Sequence, residues 1–180
     1  MDNLRIVFLD IDGVMQDGYR VSQQVRNLGQ LQAEVARRAN DPTHLNLGTD
    51  DIAAVLLDWR QEAVDAVRTI CERAGARVVI HSSWRLYSDD DYMRALLRIR
   101  GLDPWYLGNV PKVPWDKESA ISTWLWAMGR DVEGFAVIDD QCLNGFGKHL
   151  VMPKSTLAMS DVPSIVSALG LPADGPWLGG

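Results

Sequence analysis

The sequence predicts an α/β fold built on a doubly wound parallel sheet. Three observations predict it. Apolar runs within residues 5–9, 77–81 and 134–138 read as strands buried on both faces. Stretches of helical periodicity separate them. Each run ends in polar residues (Asp10 and Asp12, Ser82 and Ser83, Asp139 and Asp140), and open α/β sheets bind ligands beyond the carboxyl ends of their strands.

The bulk properties set the frame. A chain of 180 residues is the size of one domain and long enough to bury a core. A net charge of −6 leaves no basic footprint for tight, sequence-independent nucleic-acid binding, although a local patch could still admit a nucleic-acid end. The two cysteines, Cys71 and Cys142, form no Cys-x-x-Cys, which fits a reducing compartment and argues against a disulfide scaffold or a structural zinc site. Met1-Asp2-Asn3 lacks the basic start of a signal peptide, and no apolar run is long enough to cross a bilayer. A cytoplasmic location without membrane partners is expected.

In chain order, the first strand ends at Asp10-Ile11-Asp12-Gly13. Residues i and i+2 of a strand share a face, so the two aspartates project together. Two carboxylates held that close need a cation, a shared proton, or both. Gly13 lets the backbone turn away sharply. Asp17-Gly18 is a hairpin-type turn, so a small flap over the site is expected. A helix is expected from Ser22 to Asn40, with Val25, Leu28, Leu31 and Val35 on one face. Residues 16–48 would thus form a flap and small helical insert in a single domain spanning 1–180, without a large cap.

Thr49 or Asp50 can cap the next helical stretch, which shows a break near Asp58 and closes at Gly75. After the second strand, Ser88 with Asp91 three residues on resembles a capping box, and that helix ends at Gly101. Three prolines make 102–115 a loop with one short strand. Asp116-Lys117-Glu118 opens a helix through Ala127 or Met128. Trp124 and Trp126 on it are expected in the core. The third strand follows, then a glycine-bearing loop, a short strand at 149–151, and a last helix capped by Ser160 with Pro163 in its first turn. The tail from Pro172 is rich in Gly and Pro and reads as loose.

These strand ends, together with Lys117, suit phosphoryl transfer. Carboxylate oxygens bind a hard octahedral ion such as Mg²⁺. A serine hydroxyl and a lysine ammonium can hold phosphate oxygens. One aspartate can attack phosphorus, while a second protonates the leaving group and then activates water. Lysine in a first helical turn is mildly disfavoured by the helix dipole, so its place there asks for a reason.

With these residues in view, the chain resembles the haloacid-dehalogenase-like (HAD) hydrolases. Asp10-Ile11-Asp12-Gly13-Val14 is similar to their first motif, Ser82 after Val78-Val79-Ile80 to the second, Lys117 to the third, and Val137-Ile138-Asp139-Asp140 to the fourth. The resemblance implies a Rossmann-like fold, Mg²⁺ dependence and phosphatase activity. It makes Asp10 the nucleophile and a metal ligand. Asp12 becomes the general acid/base, with its carbonyl on the metal. Ser82 and Lys117 become phosphate ligands, with Gly13 beside them, and Asp139 the acidic metal ligand. Asp140 would support Asp139 or reach the metal through water. If the second strand runs one residue longer, Ser83 replaces Ser82 and Arg85 can also reach phosphate.

Ser82-Ser83-Trp84-Arg85 with Lys117, Ile121 and Trp124-Leu125 further resembles the small HAD domains of Swiss-army-knife RNA-repair proteins, which implies a nucleic-acid terminal phosphate. Asp12-Gly13-Val14 with Asp17-Gly18 is similar instead to sugar-acid phosphate phosphatases, which implies a small phosphorylated sugar. Phosphomutase action and a non-catalytic binding protein on the same fold are the rival functions. His44, His81 and His149 read as structural, since no spacing suggests a metal site, and Cys142 reads as a structural thiol. Trp84 and Trp105 flank the site side of the sheet, where either could be buried or could stack on a base.

Overall fold

The computed structural model describes residues 4–113, 116–128 and 131–173. Strand β1 (Leu4–Leu9) is followed by α1 (Leu28–Ala39), α2 (Thr49–Ala53) and α3 (Gln61–Ala74). Next come β2 (Ala76–Ile80), α4 (Asp90–Ile99), β3 (Tyr106–Asn109), α5 (Lys117–Met128), β4 (Val132–Ile138), β5 (Leu150–Val151) and α6 (Val162–Ala168). The five strands form one parallel sheet in the order β3-β2-β1-β4-β5. The chain steps outward from β1 to β3, then crosses back to place β4 on the other side of β1. The point where the order reverses therefore lies between the carboxyl ends of β1 and β4, where ligands of such sheets bind.

Strand alternation divides the core into two layers. Val7, Leu9, Val78, Ile80, Ala136 and Ile138 pack with α3, α4 and α6 on one face. Ile6, Phe8, Val79 and Val137 face Ala120, Ile121 and Trp124 of α5 on the other. Phe8 anchors that second layer, with its ring edge-on to Trp124 at 5.3 Å. Burying such a side chain contributes about 1.5–3 kcal/mol. Leu9 is in register with Ile80 on one side and Ile138 on the other. Phe8, Val79 and Val137 thus share a row, and two residues on the same row becomes Asp10, His81 and Asp139. The α5 face of the sheet changes from apolar to ionisable in one step.

Several local expectations are corrected. The helix expected from Ser22 is a 3₁₀ turn at Val21–Gln24, a break, and then α1, which ends at Asn40 in the left-handed region (φ 50°). The break follows from Asp58, which is buried where the chain loops out between a π turn (Ala54–Asp58) and α3. Its carboxylate accepts hydrogen bonds from the Ser22 amide and hydroxyl, tying down the 3₁₀ turn.

No hairpin forms at Asp17-Gly18. The Gly13 amide donates to the Gln16 carbonyl (2.8 Å), closing a tight loop that the Asp17–Arg60 ion pair fastens. Gly48, not Thr49 or Asp50, precedes α2. Asp89, not Ser88, caps α4 by accepting from the Tyr92 amide at 2.8 Å. Ser160 lies within a 3₁₀ turn leading into α6, where the Asp161 carboxylate accepts from the Ala158 amide. Trp124 is half-buried against Phe8, but Trp126 is 85% exposed because it falls on the outer face of α5. The expected loose tail lies mostly outside the described residues. Among the described residues, no helix is long and apolar enough to cross a membrane.

Candidate active site

The ends of β1, β2 and β4 and the first turn of α5 build the site. Asp10, His81 and Asp139 extend the α5-facing row of the sheet and are all buried. Lys117, the first residue of α5, points back over that row. Its Nζ donates to Asp10 Oδ2 at 2.7 Å and to Asp139 Oδ2 at 2.8 Å. This is the reason for a lysine in a first turn: two carboxylates held at the top of the sheet outweigh the unfavourable helix dipole. Burial alone would lower the Lys117 pKa, but the charges and hydrogen bonds of Asp10 and Asp139 outweigh it and raise the value.

Asp139 is the most constrained group. Burial pushes its pKa upward, yet hydrogen bonds from His81, Lys117 and the Gln141 amide hold the carboxyl down at about 2. Its Oδ2 accepts from both Lys117 and His81 Nε2 (2.8 Å), and Oδ1 accepts from the Gln141 amide (2.8 Å). A carboxylate only accepts, so His81 Nε2 carries the hydrogen and Nδ1 is left without a partner among the described residues. His81, which the sequence pattern marks only as a structural residue, is a buried hydrogen-bond partner of Asp139. The signal that could have found it was register, because it falls level with Asp10 and Asp139 once the three strands are aligned.

Asp12 is held by three donors. Oδ1 accepts from Gln16 Nε2 and Arg20 Nη2, both at 2.7 Å, and Oδ2 accepts from the Trp84 indole at 3.1 Å. Arg20 reaches it because the Ser22–Asp58 contact fixes the segment next door. Asp140 follows Asp139 and lies against Gly13. A Cβ at Gly13 would fall 2.4 Å from the Asp140 carboxyl carbon, and Gly13 has φ +82°, so only glycine fits there. Partial burial, then the charges of Asp10 and Asp139, push the Asp140 pKa up.

A cavity of about 490 Å³ brings together Asp10, Asp12, Gly13, Ser83, Arg85, Lys117 and Asp140 among its lining residues. Ser82 is fully buried and does not line it; its Oγ caps the following 3₁₀ turn, accepting from the Trp84 amide at 3.5 Å. The serine facing the cavity is therefore Ser83. Arg85 lines the cavity but directs most of its donors inward, to the carbonyls of His81, Ser82, Pro111 and Val113. It pins the loop after β2 to the loop after β3, with one Nη2 hydrogen to spare. Gly13 spends its amide on Gln16, so the contact with phosphate expected of it is not available to that N–H. Of the expected stacking residues, both Trp84 and Trp105 pack part-buried against the layer that faces α3, α4 and α6, and Trp84 alone is tied to the site, through its indole bond to Asp12.

The sequence from residue 6 to 162 matches the family model described as the HAD domain in Swiss Army Knife RNA repair proteins. The chain belongs to this HAD family. Its parallel α/β sheet is the Rossmann-like arrangement that the family has. No curated protein and no solved structure matches the chain significantly.

The donor set of this HAD domain fits a hard cation. Asp10, Asp139 and Asp140 crowd one ammonium, which leaves uncompensated negative charge. Asp10 Oδ1 and the Asp12 carbonyl accept no hydrogen bond from any described residue. Asp10, His81 and Asp139 also bring three possible ligand atoms within 4.8 Å of one another. With His81 Nε2 already donating to Asp139, the oxygens remain as ligands, which is the set that Mg²⁺ takes.

Proposed function

We propose that this HAD domain is a Mg²⁺-dependent phosphomonoesterase that works through an aspartyl-phosphate on Asp10. The observation that carries this reading is the single ammonium of Lys117 shared by Asp10 and Asp139 at the switch point of the sheet. That arrangement orients Asp10, a residue that lines the cavity, through Oδ2 and leaves Oδ1 without a donor among the described residues, free for attack.

Asp10, Asp139 and the Asp12 carbonyl would hold the ion, with Asp140 reaching it through water. Bound there, Mg²⁺ neutralises the carboxylates against an incoming dianion and offsets charge developing on phosphorus. Lys117 and the Ser83 hydroxyl bind the phosphate oxygens. Asp10 Oδ1 forms its bond to phosphorus as the bond to the leaving oxygen breaks, and Asp12 gives that oxygen its proton. Asp12 then takes a proton from water, whose oxygen attacks the same phosphorus, releasing phosphate and restoring Asp10. Gln16, Arg20 and Trp84 fix the Asp12 carboxyl during both transfers. His81 and Arg85 touch no reacting atom; they position Asp139 and the loop after β2.

Hydrolysis of p-nitrophenyl phosphate tests the reading. Wild-type protein with Mg²⁺ is expected to turn it over, chelator is expected to stop turnover, and Mg²⁺ to restore it. Asp10→Asn is expected to abolish it with the fold intact by circular dichroism. Full activity in that variant would refute the assignment.

A further inference from the structure

The reacting cavity adjoins a second one of about 560 Å³. Asp12, Arg20 and Ser83 line both, whereas Asp10 and Lys117 line only the first. On the phosphatase reading above, the group that protonates the leaving oxygen must lie within hydrogen-bond reach of it. Asp12 stands at the junction, so the leaving group extends into the second cavity.

The walls of that cavity define what fits. Tyr87 follows the 3₁₀ turn at Ser83–Leu86, is 86% exposed and lines the cavity. Trp84 stands beside it, locked by its indole bond to Asp12. Trp84 packs part-buried against the core and the Trp59 ring, so it backs the cavity while Tyr87 offers the exposed ring on which a flat group can stack. Asp50 and Asp51 of α2 supply the polar wall. Asp51 is held by the Tyr92 hydroxyl at 2.5 Å, while the Asp50 carboxylate accepts from no described residue. Such carboxylates accept from hydroxyl and amino groups. The cation in the lining, Arg20, is already paired with Asp12 at 2.7 Å. A second phosphate or a sugar-acid carboxylate would therefore face Asp50 and Asp51 with the charge of Arg20 already offset by Asp12. A nucleic-acid strand would meet the same obstacle at its next phosphate, since strand binding relies on Lys and Arg along the backbone.

We propose that the second cavity is the leaving-group subsite and that it takes a nucleoside, so that the substrate is a nucleoside carrying a single phosphate. The flat base lies on Tyr87 in the cavity that Trp84 backs, and Asp50 and Asp51 receive hydroxyl and amino donors.

Two measurements on the full chain test this. The first is calorimetric binding of adenosine to Asp10→Asn protein, which requires no turnover. Saturable binding is expected, weakened about tenfold or more by Tyr87→Ala, the loss of the stacking face. The second compares kcat/KM for adenosine 5′-monophosphate, 6-phosphogluconate and a 5′-phosphorylated hexanucleotide. The mononucleotide is expected to lead the other two by about tenfold or more, and Asp50→Lys to narrow its lead over both anionic competitors. Turnover of these esters with no adenosine binding, or with the hexanucleotide or sugar acid preferred, overturns the subsite and leaves the phosphatase reading standing. Adenosine binding that depends on Tyr87, with no ester hydrolysed, supports the nucleoside site and defeats the phosphatase reading instead.

Discussion

His81 donates its Nε2 hydrogen to Oδ2 of Asp139 across 2.8 Å, with neither side chain exposed to solvent. Asp139 is thereby fixed from behind while Lys117 holds it from the front. Partners of this kind behind a metal ligand typically contribute about 10–100-fold to metal affinity. His81→Ala is expected to weaken Mg²⁺ binding by about that range in calorimetry. His81→Gln, which can still offer an N–H, is expected to recover much of the loss. Equal Mg²⁺ affinity in His81→Ala and wild type would remove His81 from the site.

The same bond gives the fold an acid-sensitive component. Burial would raise the Asp139 pKa, but His81, Lys117 and the Gln141 amide hold it at about 2 against an ordinary 3.8. A carboxyl depressed in the folded state stabilises it above the unfolded pKa, and that contribution fades as pH falls through the folded value. Metal-free protein is therefore expected to lose stability progressively from about pH 5 toward pH 2 in urea titrations, with Asp139→Asn flattening that slope. An identical slope in the variant would contradict the assignment.

Gly13 and Asp140 occupy one another's space. Gly13→Ala places a methyl 2.4 Å from the Asp140 carboxyl carbon at φ +82°. Each of the two faults costs on the order of 1–3 kcal/mol. The single variant is expected to be destabilised in denaturant titration, and Gly13→Ala with Asp140→Ala to recover only part of the steric cost, because the Asp140 Cβ still stands 2.7 Å from the added methyl. No destabilisation in the single variant would show that the loop has room that the structure denies it.

The thiols separate by environment. Cys71 is buried in α3 with its pKa pushed up to about 12 by burial, and Cys142 is exposed after β4. In the native protein a thiol reagent at neutral pH is expected to modify Cys142 alone, and in denaturant both. Rapid native modification of Cys71 would mean that the layer between α3 and the sheet opens readily.

The sheet and its ionisable row were legible where polar residues close apolar runs. Asp10 and Asp139 end apolar runs, and Lys117 stands where a helix dipole would rather not have it. What could not be read are contacts that depend on register or on a distant buried group. His81 gains its meaning only when β2 is laid against β1 and β4. Arg20 reaches Asp12 because Asp58, far along the chain, pins Ser22, and nothing local to Arg20 announces it. Arg85 looked free to meet phosphate, yet the turns after β2 and β3 present four carbonyls that claim most of its hydrogens. Trp126 looked like core because α5 is apolar on several sides; only the placement of Trp124 on Phe8 shows which side is inside.

Covalent catalysis by Asp10 is tested most directly by acid-quenching the protein during turnover of a phosphomonoester and mapping the phosphoryl group by peptide mass spectrometry. A hydroxylamine-labile phosphoryl group on Asp10, absent in Asp10→Asn, is the predicted result. Steady turnover with no phosphoryl group on Asp10, or with one on another side chain, would contradict it.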